Sequence, residues 1–150
     1  MSTEPNRFFS ALQKHFVEQA PHIKALGVVV ELVSAPLCRV CLPYQPFMLA
    51  DVERGRLHTG VMTSLIDSAC GLAAVASVGH PTSVATLDLR VDYLASAQAG
   101  LDLVCEASCY RMTRSIAFLR AKVWQQPGQI LAESMGSFVI TALPARAPKA

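Results

Sequence analysis

Apolar and polar positions in the first third of the chain follow the periods of one helix and two strands. Apolar side chains recur at helical spacing from Pro5 to Gln19, and Pro21 is expected to end this helix. Two apolar runs, 26–33 and 37–44, are typical of strands, and an Ala-Pro pair between them indicates a turn.

The rest of the chain predicts one long helix followed by four strands. The helix runs from His58 to about Val78, after a loop at 45–56. The strands are predicted at 87–93, 101–110, 115–124 and 130–141. A sheet must bury its apolar face, and this helix is the only element long enough to cover it. The pattern therefore predicts an α+β fold, in which an antiparallel sheet of about six strands surrounds a long central helix.

Composition adds an expectation about assembly. The 150 residues are predicted to form one domain, with an N-terminal helix within 1–24 and a disordered tail at 142–150. Charged residues make up 16% of the chain against about a quarter in typical soluble proteins. So little charge favours buried subunit interfaces. No uncharged apolar stretch of roughly 18 residues and no export signal are visible, so a cytoplasmic protein without membrane contact is expected. A net charge of +2 does not indicate a duplex nucleic acid partner.

Five cysteines in such a chain are expected to be reduced thiols. Cys38 and Cys41 have the Cys-x-x-Cys spacing of some zinc and redox sites. They lie in a predicted strand, however, where residues three apart point to opposite faces. A zinc site also needs two further ligands, and the chain has no second Cys-x-x-Cys pair. Ordinary buried cysteines are therefore predicted, with no metal.

The central helix carries an ionisable residue in an unusual setting. One apolar stripe is expected to pack on the sheet, and its members are Val61, Leu65, Ala69, Leu72 and Ala76. A second row contains small residues with one exception, and its members are Gly60, Ser64, Asp67, Gly71 and Ala74. Asp67 therefore projects into a narrow gap, where an unpaired carboxylate is costly. It either caps a loop or pairs with an arginine, or it takes part in catalysis. His58 is likewise either a helix-start residue bonded to the backbone or a catalyst.

His58 and Asp67 cannot serve one another within one helix. Nine residues rotate by about 180° and rise by roughly 13 Å, so the two side chains lie on opposite faces. A triad of Ser64 with these two residues fails for the same reason. If Asp67 works with the free N–H groups at the helix start, those groups must come from a second copy. The site would then lie between two antiparallel copies of this helix.

Three motifs carry a resemblance to a known family. The segments are GRLHTGVMTSLIDSACGLAA, VATLDLRVDYLASAQAG and YRMTRSIAFLRAKVW with ILAESMGSF. Together, over residues 25–141, they resemble the hotdog-fold acyl-CoA thioesterases of the phenylacetate-pathway (PaaI-like) type. The resemblance implies a long helix wrapped by an antiparallel sheet, a homodimer that often pairs again into a tetramer, and hydrolysis of acyl- or aryl-acyl-CoA thioesters.

The same resemblance implies roles for residues around the helix start. The family motif is His-Gly-Gly followed by a helical carboxylate, and here it is His58-Thr59-Gly60 followed by Asp67. Asp67 would act as nucleophile or general base on the thioester carbonyl. The Thr59 and Gly60 amides would form the oxyanion hole, since a helix N-terminus favours negative charge. His58 would orient this turn.

Four further residues have expected supporting roles by resemblance. Thr86 would assist Asp67 from the strand after the helix, and Asp51 would help to hold the water or the carbonyl. Arg111 and Arg114 would meet the phosphates of coenzyme A, a natural role for guanidinium groups. No metal or redox cofactor is implied, and coenzyme A enters only as part of the substrate.

The sequence departs from the family pattern at two places. Thr59 stands where the family has the first glycine, and Ala95-Ser96 replace a turn that usually contains proline. If position 59 requires a positive φ, a β-branched residue there would be strained and its N–H misdirected. The alternative function is therefore a non-catalytic hotdog protein that binds acyl-CoA. A hotdog hydratase is a weaker alternative, because the His-containing, Pro-rich signature of those enzymes is absent.

Overall fold

The computed structural model describes residues 4–141. Its α-helices are α1 (Glu4–Gln19), α2 (Pro21–Leu26) and α3 (Thr59–Val78). Its β-strands are β1 (Val29–Val33), β2 (Leu37–Leu42), β3 (Leu49–Asp51), β4 (Arg56–Leu57), β5 (Ser83–Tyr93), β6 (Leu103–Met112), β7 (Ile116–Trp124) and β8 (Ile130–Thr141). A short 3-10 turn, Pro46–Met48, precedes β3.

Six strands form one antiparallel sheet in the order β1-β2-β6-β7-β8-β5. The strands β3 and β4 pair separately as a small hairpin just before α3. The central helix α3 lies against the sheet, and its buried residues form the core with the inner faces of the strands. The predicted α+β hotdog architecture, with a long central helix, six sheet strands and an N-terminal helix, is confirmed.

The two rows predicted on α3 differ in burial. In the apolar stripe all members except Val61 are buried. In the row of small residues, Gly60, Ser64, Asp67 and Gly71 are half-buried. Ala74 departs from that row because it is fully buried in the core. The helix is apolar enough to cross a membrane, with a mean hydropathy of 1.6 over an 18-residue window, yet half of that window is buried inside the protein.

Several boundaries differ from the sequence prediction. Pro21 begins a second helix, α2, because proline is favourable at a first helical position. The predicted strand therefore starts at Val29, after Gly27 has ended α2 with a φ of 76°. The predicted loop at 45–56 contains the hairpin of β3 and β4, whose strands are too short to show a period. The strand predicted at 87–93 begins earlier, at Ser83. The predicted tail at 142–150 lies outside the described residues.

The two cysteines of the Cys-x-x-Cys motif point to opposite faces of β2, as predicted. Cys38 is fully buried on the core face, while Cys41 is half-buried on the other. Burial raises the pKa of the Cys38 thiol to about 11. Burial also raises the pKa of Cys41, with a smaller contribution from Asp102. Both side chains are therefore thiols at neutral pH.

Candidate active site

The Asp67 carboxylate receives a hydrogen bond from the strand beside it. Thr86 on β5 donates its hydroxyl to Asp67 Oδ1 over 2.7 Å. Asp67 is half-buried at the middle of α3 and lines a cleft of about 280 Å³. The sequence placed Thr86 next to Asp67 only by resemblance, and the structure brings the two side chains together.

An irregularity in β5 explains why Thr86 faces the helix. Thr86 pairs with Phe138 and Asp88 pairs with Ser137, so Leu87 is an extra residue in the strand. Such a β-bulge redirects the side chains that flank it. Thr86 therefore lines the Asp67 cleft, while Leu87 is 57% exposed. Leu87 therefore does not share the half-buried face of Leu89 and Val91, because the alternation of side chains changes phase at the bulge.

Gly136 on β8 leaves the space that the β-bulge of β5 occupies, because glycine has no side chain there. A Cβ at this position would lie 2.8 Å from the carbonyl oxygen of Asp88 and 2.9 Å from Leu89 Cδ1. A backbone oxygen cannot move aside without displacing the strand that carries it. The sequence contained no signal for this contact, which depends on the pairing of two strands distant in the chain.

We expect Gly136→Ala to disturb both stability and activity. A methyl group forced into this contact lowers the free energy of unfolding by about 1–3 kcal/mol. A thermal melt will detect this loss as a lower Tm. The shift of β5 also moves the Thr86 hydroxyl away from Asp67, so turnover should fall. Met135→Ala, at the exposed neighbouring position, is the matched control. An unchanged Tm for Gly136→Ala would contradict the assigned role of this glycine.

The N-terminus of α3 is fixed by His58. His58 is the N-cap, with φ −68° and ψ 133°, and its Nδ1 accepts the Gly60 N–H over 2.9 Å. The N–H of Val61 donates to the His58 carbonyl over 3.0 Å. The His58 N–H in turn donates to the carbonyl of Met48 over 2.8 Å, which ties the helix start to the preceding loop. His58 is thus a backbone-bonded helix-start residue.

The amide of Thr59 differs from that of Gly60. The Gly60 N–H is engaged by the His58 ring, whereas Thr59 is the first residue of the helix, where the N–H has no intrahelical acceptor. Among residues 4–141, no residue other than glycine has a positive φ. Thr59 therefore adopts its helical conformation without the strain that a β-branched residue would suffer at positive φ.

Asp51 lies at the same end of α3 and is held by its own turn. Its Oδ1 accepts the Arg54 N–H over 2.9 Å, and its Oδ2 accepts the Arg54 guanidinium over 3.1 Å. These two bonds from Arg54 lower the pKa of Asp51, so it is ionised at neutral pH. In the β3–β4 hairpin, Asp51 pairs with Arg56, and Arg56 lies two residues before His58.

The structure brings the sequence-predicted residues together as two separate groups. Asp51, His58 and Thr59 cluster around the start of α3, while Asp67 and Thr86 lie further along it. From Thr59 to Asp67 the axial rise is roughly 12 Å. One substrate carbonyl cannot touch both groups within a single chain.

The two arginines predicted to bind coenzyme A are both exposed and lie near the β6–β7 turn. Arg111 is on β6 and lines a surface pocket with Ser77 from the last turn of α3. Arg114 is in the turn that follows β6. Near them, the guanidinium of Arg120 stacks over the Tyr110 ring at 4.3 Å. Arg120 lies in the same segment of the sequence as Arg111 and Arg114, but no role was predicted for it.

The Thr63 side chain was also missed. The hydroxyls of Thr63 and Tyr93 are hydrogen-bonded, and Thr63 additionally donates to the Thr59 carbonyl over 3.3 Å. This contact links the end of β5 to the first turn of α3. The polar positions on the helix were visible in the sequence, but their partner on β5 was not.

A sequence model of the thioesterase superfamily matches residues 54–132, which are 79 of the 150 residues. The chain belongs to the thioesterase superfamily. The matched range contains α3, Asp67 and Thr86. The family and its acyl-CoA thioesterase relatives show that thioester hydrolysis is the general activity of this enzyme.

Two individual relatives support the assignment to this family. The thioesterase described here is 27% identical over 138 residues to YigI of Escherichia coli, covering 83% of this chain and 88% of that protein, which is named a medium/long-chain acyl-CoA thioesterase. A crystal structure of a Pseudomonas aeruginosa protein superposes with a TM-score of 0.78 at 32% identity, covering 88% of this chain and 98% of that one.

The PaaI resemblance is supported by structure as well. A single-substitution variant of the phenylacetic acid degradation protein PaaI from Thermus thermophilus superposes with a TM-score of 0.70 at 27% identity. The match covers 80% of this chain and 98% of that one. The predicted membership in the PaaI-like hotdog thioesterases is confirmed.

Proposed function

We propose that this thioesterase hydrolyses acyl- or aryl-acyl-CoA thioesters to the free acid and coenzyme A, with Asp67 as the catalytic carboxylate. The observation that carries the proposal is the 2.7 Å hydrogen bond from Thr86 to Asp67 inside the cleft. A hydroxyl that donates to one carboxylate oxygen fixes the orientation of the other. The charge is also half-buried, where it interacts more strongly with a reacting group than it would in water.

The proposed chemistry has two forms that share one geometry. As general base, Asp67 removes a proton from water, and the resulting hydroxide adds to the thioester carbonyl. As nucleophile, Asp67 adds to the carbonyl itself, and water then hydrolyses the mixed anhydride. In both forms the tetrahedral oxyanion accepts the Thr59 N–H, the C–S bond breaks, and the leaving thiolate of coenzyme A takes up a proton.

Single-turnover hydrolysis in water enriched in heavy oxygen separates these forms. In the nucleophilic form, water that adds to the Asp67 carbonyl carbon of the mixed anhydride leaves a heavy oxygen in the Asp67 carboxylate, and the released acid then contains ordinary oxygen from the enzyme. In the general-base form, the label appears in the acid at once and Asp67 remains unlabelled, so a labelled Asp67 identifies the nucleophilic form. Mass spectrometry of the Asp67 peptide is the measurement.

The oxyanion donor and the carboxylate are proposed to come from two copies of the chain. Asp67 and Thr59 are roughly 12 Å apart along α3, so a site that uses both requires a second α3. The β5 strand supports such a homodimer because it lies at the edge of the sheet over 11 residues. An edge strand of this length exposes a row of N–H and C=O groups that favour pairing with another strand. Such dimers are proposed to pair again into a tetramer.

The coenzyme A part of the substrate is proposed from the surface arginines and the relatives. Arg111 and Arg114 are exposed, and their guanidinium groups are well suited to bind phosphate groups. The acyl-CoA activity named for YigI supports the same substrate class. Arg111→Ala with Arg114→Ala is expected to raise KM for acyl-CoA while leaving hydrolysis of a short thioester without a nucleotide unchanged.

A panel of acyl- and aryl-acyl-CoA thioesters, assayed for release of free thiol, tests this function. We expect turnover with at least one member. Thermal stabilisation by these compounds without any thiol release would instead identify a non-catalytic acyl-CoA-binding protein. The non-catalytic alternative was based on backbone strain at Thr59, and Thr59 does not have the positive φ that would cause it.

We expect Thr86→Val to lower kcat by about tenfold to a hundredfold. A hydrogen bond to a charged group is worth roughly 1.5–3 kcal/mol, and valine keeps the shape of threonine without its hydroxyl. Thr86→Ser retains the donor and is the matched control, so it should retain most of the activity. Equal kcat values for the serine and valine variants would rule out a role for the hydroxyl.

A further inference from the structure

We propose that the linear acyl chain of the substrate lies in a groove between α1 and α3, and that Gly71 sets how long this chain can be. This inference rests on the proposed function, since it assigns the acyl part of the same substrate. The groove consists of two adjoining cavities, called here the α1 groove. They have volumes of about 280 and 290 Å³ and share four lining residues, Leu12, His15, Val75 and Thr82.

The α1 groove begins at the candidate catalytic group. Asp67 and Thr86 line its first cavity together with Phe16 of α1 and Gly71 of α3. The second cavity continues between α1 and the end of α3, where Phe8 lines it. A carbonyl held beside Asp67 would therefore have its alkyl chain directed along the groove toward α1.

The lining fits an unbranched alkyl chain. Apart from Asp67 at one end and the exposed His15 on α1, the lining residues described carry no ionisable side chain. Most of the wall is aliphatic or aromatic, with contributions from Leu12, Leu72, Val84 and Phe138. From Asp67 to Val75 the groove follows α3 for roughly 12 Å, which an extended medium-length acyl chain spans. Together the cavities fall within the usual size of small-molecule sites, roughly 300–1,000 Å³.

Gly71 lines the part of this path that follows Asp67. It lies one helical turn beyond Asp67, and a Cβ at this position would lie 3.9 Å from Phe138 and 4.0 Å from Val84. These are ordinary van der Waals contacts, so alanine fits without strain. The added methyl group would nevertheless occupy the space between α3 and β5 through which the chain must pass.

The test is the dependence of kcat/KM on acyl length for Gly71→Ala, using acetyl-, butyryl-, octanoyl- and palmitoyl-coenzyme A. In the unmodified enzyme we expect kcat/KM to rise about two- to fourfold per added methylene until the groove is filled. In Gly71→Ala we expect at least a tenfold loss for octanoyl-coenzyme A and less than a threefold change for acetyl-coenzyme A. The Tm should rise by a few degrees, because alanine is the better helix former.

Two control variants separate the groove from general effects. Ser77→Ala on the same helix lies outside the groove and should leave the length dependence unchanged. On α1, Ala11→Phe narrows the second cavity and should depress activity with palmitoyl-coenzyme A most, whereas Ser10→Phe on the neighbouring face should not.

The outcomes distinguish the two proposals. If the unmodified enzyme hydrolyses aryl-acyl-coenzyme A thioesters but none of these straight-chain ones, this inference fails and the proposed function stands. If it hydrolyses neither class, the proposed function fails. If it hydrolyses them and Gly71→Ala reduces all four substrates equally, the groove does not hold the acyl chain. If Gly71→Ala loses activity equally with all four substrates and light scattering shows a changed oligomeric state, a second copy of the chain occupies the groove. This result also overturns the inference.

Discussion

Asp67→Asn is expected to lower kcat for acyl-CoA hydrolysis by about 10²- to 10⁴-fold, the range that general-base residues contribute. Asparagine has nearly the same shape, and its carbonyl oxygen can still accept the Thr86 hydroxyl. It cannot accept a proton at neutral pH, nor can it attack a carbonyl as a carboxylate does. Release of free thiol from the best acyl-CoA substrate is the measurement.

The fold of this variant should be intact, because Asp67 is half-buried and the amide can keep the hydrogen bond from Thr86. A Tm within a few degrees of the unmodified enzyme and an unchanged oligomeric state are the required controls. Near-normal turnover in Asp67→Asn would show that Asp67 has only a structural role.

Thr59→Pro is expected to lower kcat by about 10²- to 10³-fold, which is the effect of removing one oxyanion donor. Proline removes the backbone N–H at the one position where the helix tolerates the loss. It is favoured at the first helical residue, and His58 before it already has the extended backbone, φ −68° and ψ 133°, that a residue preceding proline requires. The helix should therefore start as before.

Thr59→Ser is the matched control, since it keeps the N–H and shortens only the side chain. We expect it to retain most of the activity. A circular dichroism spectrum and Tm of Thr59→Pro that match those of the unmodified enzyme would attribute the loss to the missing donor. Full activity in Thr59→Pro would exclude this amide from the oxyanion hole.

Much of the fold could be predicted from the sequence because long elements have clear periods. The strand at 130–141 was predicted at the boundaries that β8 has, and the central helix was predicted within a residue of its start. Short elements could not be predicted in this way, as the hairpin of β3 and β4 shows. The first helix ends at Gln19, as Pro21 predicted, but the second helix that begins at Pro21 was not predicted, because proline both follows helix ends and occupies first helical positions.

The candidate site was only partly predictable for a different reason. The spacing of His58 and Asp67 along one helix depends on local geometry alone, so their separation followed from the sequence. The phase change at Leu87 depends on pairing between β5 and β8, and so does the need for glycine at position 136. The α1 groove likewise requires two helices that are far apart in the chain to pack together.

Mixing the two inactive variants tests the shared site most directly. In a heterodimer of Asp67→Asn and Thr59→Pro chains, one site carries both substitutions and the other carries neither. Random exchange of subunits makes half of the dimers mixed, since the two copies are equivalent by symmetry. The mixture should therefore recover about a quarter of the unmodified activity, with heterodimers confirmed by two different affinity tags. If verified heterodimers remain as inactive as their parents, Asp67 and Thr59 do not act together across two copies of α3.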